Sequence, residues 1–339
     1  MARSRALLRI VAVLAVGLGI VVAEAPAASA APVASFAVPN PGVLFDGKRW
    51  VLLDTGAWDH SGHVLTAPAA TGPWKRTSHH LLTGRPAWAS AKDHSVWAPS
   101  LVRGTDGNYV AFYAAVVAGQ SSARCIGTAR SKNSTGPFVP SSRPVACYRG
   151  SKAHAYDTIN SEGHNFGLID PTPAQLNGGF YLTYKTQYRM ADGRWHTTIR
   201  LLQLNPADPR RTIANPRHAD GASVQLTSAR NKYIEENPVL VAHGGLFTLF
   251  TSWGWYGTCK YSTQYRQSTH VWSGWPVSAH RLAIPGGTCG TGNAQVVASA
   301  QGWRIFFNGH QGGKPHAPFL LYVGKVAWKG GAPTVPSLL

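Results

Sequence analysis

The sequence is poor in charged residues, and acidic residues are the scarcest of them. Only 14% of its 339 residues are charged, and Asp and Glu together number 14. A coiled coil or a long-helix protein needs Glu, Lys, Ala and Leu in quantity, so this composition excludes that class. Beyond residue 30 the chain also lacks the run of about 20 apolar residues that a membrane-spanning helix requires. We therefore expect no membrane span in the mature chain.

Glycine, proline and aromatic residues are abundant instead. The chain has 36 Gly, 23 Pro and 12 Trp, and 44% of its residues are hydrophobic. That hydrophobic content excludes intrinsic disorder, because the chain can bury a large core. Many short strands joined by Gly/Pro turns account best for the composition. The sequence therefore predicts a compact all-β protein.

The first 30 residues have the pattern of an export signal. Three arginines precede an apolar run from residue 10 to residue 22, and Ala28-Ser29-Ala30 has the small-residue pattern of a cleavage site. We predict a signal peptide at residues 1–30, one mature domain at residues 31–339, and a secreted protein. The alternative is that the apolar run is retained as an N-terminal anchor.

Basic residues greatly outnumber acidic ones. The formal net charge is +18, and removing residues 1–30 takes away three Arg and one Glu, which leaves +16. The basic residues are scattered singly, and no nucleic-acid-binding motif is present, so no nucleic acid partner is expected. The charge predicts electrostatic retention of the protein on an anionic cell wall or polymer.

The four cysteines predict disulfides. They are an even number in a chain with an export signal, and none lies in a C-x-x-C pair that would indicate zinc. Three pairings are open to four cysteines. The local pairing, Cys125–Cys147 and Cys259–Cys289, is the simplest of them.

One hairpin unit recurs five times along the chain. Each copy has a short apolar strand, a turn that usually contains Gly, and an aromatic-rich strand. The copies begin at Pro41, Pro99, Pro171, Pro238 and Ala294. Five such units predict a five-bladed β-propeller with four-stranded blades, which protects its sheet edges by radial repetition. A β-sandwich would explain the hairpins but not their five-fold recurrence.

In a propeller the first strand of each blade lines the central channel, so the residues just before those strands should converge. These residues are Asn40, Ala98, Asp170, Asn237 with Glu236 before it, and Asn293. Two carboxyl groups converging on a groove suit glycoside hydrolysis, in which one is protonated and the other stays charged. The structural alternative is that Asp170 caps a turn and Glu236 pairs with an arginine.

Aromatic residues beside these segments predict a polysaccharide or oligosaccharide partner. Trp97, Trp253, Trp255 and Tyr256 flank the channel mouth, and flat apolar rings stack on the C–H faces of sugars. The alternative is that several of these rings belong to the core. His310 ends the aromatic strand of the fifth unit and is a candidate to contact substrate, water or a metal ion.

Three segments and one strand carry a resemblance to a known family. The segments are Val96-Trp97-Ala98-Pro99, Ile169-Asp170-Pro171 and Glu236-Asn237-Pro238, and the strand is Trp303 to His310. Together they resemble glycoside hydrolase family 43, secreted five-bladed propellers that act mainly on arabinan, arabinoxylan and xylan. The resemblance covers residues 36 to about 330.

The resemblance implies an inverting O-glycosyl hydrolase. Glu236 resembles the family's general acid, and Asp170 resembles the carboxylate that orients that acid and tunes its pKa. His310 resembles a histidine that in many members helps hold an ion, such as calcium, or a water molecule in the channel. A monomer that requires no cofactor is expected.

The first unit departs from the family pattern. Asn40-Pro41 stands where the family has an Asp-Pro whose aspartate is the general base, and an amide cannot take a proton from water at neutral pH. Three interpretations remain. The chain is a hydrolase with another base, such as Asp54, Asp59 or Asp93, or it is a catalytically impaired carbohydrate-binding propeller. The third is a different substrate, such as an anionic wall glycan. We favour the hydrolase.

Overall fold

The computed structural model describes residues 30–159, 167–214, 216–217 and 222–339. Residues 1–29 of the predicted signal peptide lie outside this part of the chain. Within it, regular structure is β-strand apart from one short 3-10 helix, Gln311–Gly313, which confirms the all-β prediction. No helix in these ranges is long and apolar enough to cross a membrane.

The strands are numbered β1 to β24 in chain order. The first eleven are β1 (Gly42–Phe45), β2 (Trp50–Leu53), β3 (Gly56–Ala57), β4 (Val64–Ala67), β5 (Lys75–Arg76), β6 (Ser95–Arg103), β7 (Tyr109–Val116), β8 (Arg124–Ser131), β9 (Val139–Pro140), β10 (Ala146–Tyr148) and β11 (Asp157–Ile159). The next eight are β12 (Leu168–Leu176), β13 (Gly179–Arg189), β14 (Trp195–Leu204), β15 (Val224–Asn231), β16 (Ile234–His243), β17 (Leu246–Gly254), β18 (Ser262–Ser268) and β19 (His280–Arg281). The last five are β20 (Cys289–Ser299), β21 (Gly302–His310), β22 (Phe319–Lys325), β23 (Ala327–Lys329) and β24 (Ala332–Thr334).

These strands form five antiparallel blades. Blade 1 has the order β1-β2-β4-β5, blade 2 the order β6-β7-β8-β9, blade 3 the order β12-β13-β14-β15 and blade 4 the order β16-β17-β18-β19. Strands β3, β10 and β11 extend the sheet of blade 2. Blade 5 consists of β20, β21 and β22, and the C-terminal residue Leu338 bridges to the outer strand at Gly324. The five-bladed propeller is confirmed, although blade 5 has three strands where the sequence predicted four.

Five hydrophobic clusters close the ring, because each is shared by two successive blades. Blade 1 meets blade 2 around Leu53 and Tyr113, and blade 5 meets blade 1 around Trp50 and Phe306. Blades 2 and 3, 3 and 4, and 4 and 5 are joined in the same way. Burial of these apolar faces, at about 25 cal/mol per Å², is what holds the blades side by side.

The first strand of every blade lines the central channel, as the repeat predicted. A cavity of about 470 Å³ is lined mainly by residues of β1, β6, β12, β16 and β20. Within each hairpin the pairing continues to the predicted turn, for example Phe45 opposite Trp50 and His243 opposite Leu246. The channel is therefore built from strands that lie far apart in sequence.

Both disulfides have the predicted local pairing, Cys125–Cys147 and Cys259–Cys289. The first lies inside blade 2, where both cysteines are fully buried. The second joins the loop before β18 to the start of β20, so it ties blade 4 to blade 5.

Removing the first disulfide is expected to lower stability without changing the channel mouth. A Cys125→Ala/Cys147→Ala variant should lose about 3 kcal/mol of unfolding free energy, because the bridge closes a loop of 22 residues in the unfolded chain. Urea unfolding of the variant and the oxidised natural protein measures the difference. Equal unfolding midpoints would contradict this role.

Candidate active site

The five residues predicted to converge at the channel mouth share one uncommon backbone conformation. The angle φ is 48° at Asn40, 43° at Ala98, 58° at Asp170, 52° at Asn237 and 54° at Asn293. Asn and Asp adopt this left-handed conformation more readily than other residues except glycine. All five residues line one narrow cavity of about 10 Å³, which has room for about one water molecule. The repeat thus brings these positions to one place.

Asp170 and Glu236 meet at the mouth, and Lys185 of β13 lies between them. Lys185 Nζ is 2.7 Å from Glu236 Oε2 and 3.5 Å from Asp170 Oδ2. All three side chains are buried, and Lys185 has no exposed surface. The backbone N–H of Asn237 also donates to Asp170 Oδ2, at 3.1 Å. Glu236 therefore pairs with a lysine of the neighbouring blade and not with an arginine.

Burial and charge act in opposite directions on this group of side chains. Burial has the largest effect on Asp170 and raises its pKa; the Lys185 ammonium and the Asn237 N–H lower that pKa, the Glu236 carboxylate raises it, and the net shift is upward. Burial alone would lower the pKa of Lys185, but the carboxylates of Glu236 and Asp170 outweigh it and raise that pKa. Lys185 is therefore positively charged at neutral pH, and its one charge stabilises the ionised form of both Asp170 and Glu236.

The adjacent glutamates face opposite sides of β16. Glu235 accepts hydrogen bonds from Arg266 and from the Thr251 hydroxyl, and it is almost completely buried away from the channel. Glu236 faces Lys185 and Tyr261. Alternation along a strand explains the difference, and it assigns the channel-mouth carboxyl to Glu236.

A buried polar network continues from Glu236 into blade 5. Tyr261 Oη lies 2.8 Å from Glu236 Oε1 and 2.6 Å from Asn293 Oδ1. Asn237 Nδ2 donates to the same Asn293 oxygen at 2.6 Å, and Asn293 Nδ2 donates to Asn308 Oδ1 at 3.2 Å. The mouth residues of blades 4 and 5 are thus joined to the acid pair by side-chain hydrogen bonds.

Asn40 is held in place by Thr55. Asn40 Nδ2 lies 3.1 Å from Thr55 Oγ1, and the same hydroxyl oxygen accepts from the Ala98 N–H at 2.9 Å. A threonine hydroxyl can also donate, so it would serve a carboxylate in this place as well as an amide. The surroundings of Asn40 would therefore accommodate a carboxylate as well as the amide.

The three aspartates considered as substitute bases are all engaged with other partners. Asp54 is buried and accepts from Arg76, with the His63 ring 2.8 Å away. Asp59 lies 2.7 Å from His94.

The third, Asp93, accepts from the Ser95 N–H at 2.8 Å and lies 3.7 Å from Arg124. None of the three has a hydrogen bond to Asn40 among those between described residues. The structure thus gives no support to any of them as the base.

Three of the four predicted sugar-stacking aromatics are exposed. The exposed fraction is 40% for Trp97, 45% for Trp255 and 53% for Tyr256, and few other large hydrophobic side chains in the described ranges are so open. The guanidinium of Arg124 stacks on Trp97, with Cζ 3.7 Å from the ring centroid. Trp253 is half-buried and packs edge-on against Tyr233. Open rings thus lie beside the mouth in blade 2 and after β17.

His310 is buried and connects two loops. Its Nδ1 lies 2.8 Å from the Ala317 carbonyl oxygen and its Nε2 lies 3.0 Å from that of Tyr256. Both ring nitrogens are occupied, so this arrangement does not fit direct ligation of a metal ion by His310. Nor do the described residues contain any group of three or more His, Cys, Asp or Glu side chains that could hold one. The calcium ion therefore stays a prediction.

Sequence reasoning did not find Lys185, Tyr261 or Asn308. None of them lies in the recurring segment before a first strand, which was the signal used. Lys185 carried one weak signal, because it is a cation in the middle of a strand, Gly179–Arg189. Asn308 lies in the strand Trp303 to His310 that carried the family resemblance, but nothing in that pattern marked the residue itself, and Tyr261 carried no signal.

One family model matches most of the chain. The model of glycosyl hydrolases family 43 matches residues 74–329. That range includes Asp170, Lys185 and Glu236 but begins after Asn40. No curated protein matches the chain in sequence.

Solved structures similar to this one share its fold. A thermostable family-43 glycoside hydrolase is 16% identical with a TM-score of 0.66, over 88% of this chain and 93% of that one. An endo-1,4-beta-xylanase from Bacteroides thetaiotaomicron is 19% identical with a TM-score of 0.61, over 88% and 94%. An arabinanase from Bacillus subtilis is 18% identical with a TM-score of 0.60, over 89% and 98%.

Proposed function

Because the chain belongs to glycosyl hydrolase family 43, a family of O-glycosyl hydrolases, we propose that it hydrolyses an arabinose- or xylose-containing polysaccharide. Arabinan, arabinoxylan and xylan are the substrates to test first, since similar folds carry arabinanase and xylanase activity. The observation that carries the proposal is the meeting of Asp170 and Glu236 around Lys185 at the channel mouth. A buried carboxyl group with a second carboxylate beside it can supply the general acid and the group that tunes its pKa, while the general base that an inverting hydrolase also uses is missing at Asn40.

In the proposed mechanism Glu236 is the general acid. It gives its proton to the leaving glycosidic oxygen while a water molecule attacks the anomeric carbon from the opposite face, which inverts the configuration, and the attacking water loses one proton to solvent. Asp170 stays charged beside Lys185 and tunes the acid. The water belongs on the side of Asn40, which can hold it by a hydrogen bond but cannot take its proton.

The exposed aromatic rings are proposed to bind the polysaccharide. Trp97 lies directly before the mouth residue Ala98, and Trp255 and Tyr256 follow β17. Sugars stacked on these rings would cross the mouth from blade 2 toward blade 4. His310 contacts the segment that carries two of these rings, since its Nε2 lies 3.0 Å from the Tyr256 carbonyl oxygen. For Trp253, half-buried against Tyr233, a substrate contact stays a prediction.

Asn40 supports a second candidate function. A propeller with an amide in place of the base would keep the groove and the aromatic rings, and would bind the polysaccharide while cutting it very slowly or not at all. The two functions differ in one measurable respect. A binder needs no proton on Glu236, so Glu236→Gln should leave its affinity for the glycan unchanged.

The localisation and the oligomeric state of the protein are predicted from its sequence. We propose that it is secreted, acts as a monomer, and is retained on an anionic cell wall by a net charge of +16 once residues 1–30 are removed. Two disulfides between described cysteines are compatible with an extracellular protein. The same charge would favour an anionic wall glycan as substrate if the neutral polysaccharides are not cut.

The first experiment is sugar release by residues 31–339 from arabinan, arabinoxylan and xylan. Release of reducing sugar from one of them, with inversion at the anomeric carbon, is the expected result. A protein that binds one of these glycans but releases nothing at high concentration over long times would favour the binding propeller. Absence of both binding and release would move the search to anionic glycans.

A further inference from the structure

Asn308 fixes the direction of a buried hydrogen-bond chain. Its Nδ2 donates to two backbone carbonyl oxygens, Val38 O at 3.0 Å and Leu320 O at 3.4 Å. A carboxamide oxygen could not stand in this place, because it would face two other acceptors. Asn308 Oδ1 must therefore point the other way, where it accepts from Asn293 Nδ2 at 3.2 Å.

The fixed orientation of Asn308 determines that of Asn293. Since Asn293 Nδ2 donates to Asn308, its Oδ1 faces the opposite side and can only accept. Two groups lie within hydrogen-bond distance of it: Asn237 Nδ2 and Tyr261 Oη, both at 2.6 Å. The single proton of the Tyr261 hydroxyl is therefore used on Asn293 Oδ1.

The Tyr261 hydroxyl has two further side-chain contacts, a hydrogen bond with Ser252 and a contact with Glu236. Tyr261 Oη lies 2.8 Å from Glu236 Oε1, but its only proton already points at Asn293. Two oxygens at this distance with no proton between them would repel each other in a buried site. The proton between them must come from the carboxyl group.

We propose that Tyr261, Asn293 and Asn308 are positioning residues that hold the proton of the general acid on Oε1 of Glu236. The inference rests on the proposed function, because it concerns the acid of that reaction. In the step itself the proton leaves its hydrogen bond to Tyr261: the Glu236 O–H bond breaks, a new O–H bond forms on the leaving oxygen, and the electron pair of the cleaved C–O bond stays on that oxygen. The attacking water forms the new C–O bond and loses one proton to solvent, and Glu236, now a carboxylate, regains one proton from solvent.

The charges of the buried groups agree with a proton on Glu236. Lys185 then carries one positive charge and Asp170 one negative charge, so the group is neutral, and burying a net charge is avoided. These two and Tyr261 are the charged or titratable groups that face Glu236 from neighbouring described strands. Glu235 faces Arg266 on the other side of β16.

One contact opposes this arrangement. Lys185 is closer to Glu236 than to Asp170, and by charge alone the proton would go to Asp170, whose pKa burial raises. The direction of the hydrogen-bond chain places the proton on Glu236 instead. A charged Glu236 would leave two buried oxygens, Tyr261 Oη and Glu236 Oε1, with no proton between them.

The test in the resting protein uses the small number of glutamates. The whole chain contains four, Glu24, Glu162, Glu235 and Glu236, so ¹³C-labelling of glutamate side-chain carboxyls gives a simple NMR spectrum. Glu236 is assigned by the signal that disappears in Glu236→Gln. In the natural protein Glu236 should ionise at a higher pH than Asp170, whose signal is assigned in the same way with labelled aspartate and Asp170→Asn. The opposite order would overturn the inference.

The second test removes the accepting oxygen. In Tyr261→Phe the protonated form of Glu236 loses a hydrogen bond, so its ionisation and the alkaline limb of the kcat/KM profile should shift by about 0.5 to 1 unit to lower pH. If Tyr261 instead donated to a Glu236 carboxylate, the shift would be to higher pH. A shift to higher pH, or none, overturns the inference.

Tyr322→Phe is the matched control. It makes the same chemical change in blade 5, where the Tyr322 hydroxyl is buried and has no hydrogen-bond partner among the described residues. It should leave both the Glu236 titration and the pH profile unchanged. The NMR titration needs no turnover, so it decides the inference even if the protein releases no sugar from any glycan.

Discussion

Replacing Asn40 with aspartate is expected to raise the rate of glycan cleavage by a factor of about 10² to 10⁴, the usual contribution of a positioned general base. The site is ready for the change. The left-handed backbone at residue 40, with φ of 48°, suits Asp as well as Asn. The Thr55 hydroxyl, 3.1 Å from Asn40 Nδ2, can donate to one carboxylate oxygen and leave the other free for water. kcat/KM of both proteins on whichever glycan they cut is the measurement.

Asn237→Asp is the matched comparison for Asn40→Asp. It makes the same exchange at another mouth residue with the same backbone conformation, but there the amide donates to Asn293 and a carboxylate would lose that bond. No gain in rate is expected from it. If Asn40→Asp folds normally and brings no gain either, the missing base is not the limit on this site, and the proposal of a disabled base position is wrong.

Glu236→Gln is expected to lower kcat by a factor of about 10² to 10⁴ on a glycan with a poor leaving group, because the amide has no acidic proton to give. An aryl glycoside whose phenol leaves readily needs little protonation, so the loss on it should be much smaller. Measuring kcat for both substrates separates a chemical role of Glu236 from a general disturbance of the site. Equal losses on both would count against Glu236 as the acid.

The neighbouring Glu235 offers a control variant that should lose stability but keep its activity. Glu235→Gln breaks a buried ion pair with Arg266, which typically costs 3 to 5 kcal/mol of stability, so the unfolding midpoint should fall clearly. The variant that remains folded should cut glycan at the natural rate, because Glu235 faces away from the mouth. Of these two adjacent glutamates, Glu235 would thus contribute to stability and Glu236 to catalysis.

The five blades could be predicted because their signal is local and repeated. A Pro or Ala after a left-handed residue, an apolar strand and a Gly-containing turn are each set by a few neighbouring residues. Repetition then supplied what no single copy could, namely that Asn40, Asp170 and Glu236 belong to one channel mouth. The local disulfide pairing was predictable for the same reason, since each bridge closes a short stretch of chain.

The partners of the acid pair could not be predicted. Lys185 comes from the second strand of blade 3, and only the packing of blade 3 against blade 4 brings it to Glu236. Tyr261 lies in the segment before β18, within the blade of Glu236 itself, where no motif recurs. His310 shows the same limit. Its place at the end of an aromatic strand could be predicted, but its two carbonyl partners, Tyr256 and Ala317, lie on loops of blades 4 and 5 that only the folded chain brings together.

The proline after Asn40 has a consequence for how preparations of this protein age. Asparagine turns into aspartate spontaneously when the next backbone nitrogen attacks the side-chain amide, and proline has no N–H with which to do so. Asn40-Pro41 is therefore chemically protected from the one conversion that would create the missing base. Any cleavage measured with stored natural protein belongs to the amide form itself and not to a deamidated minority.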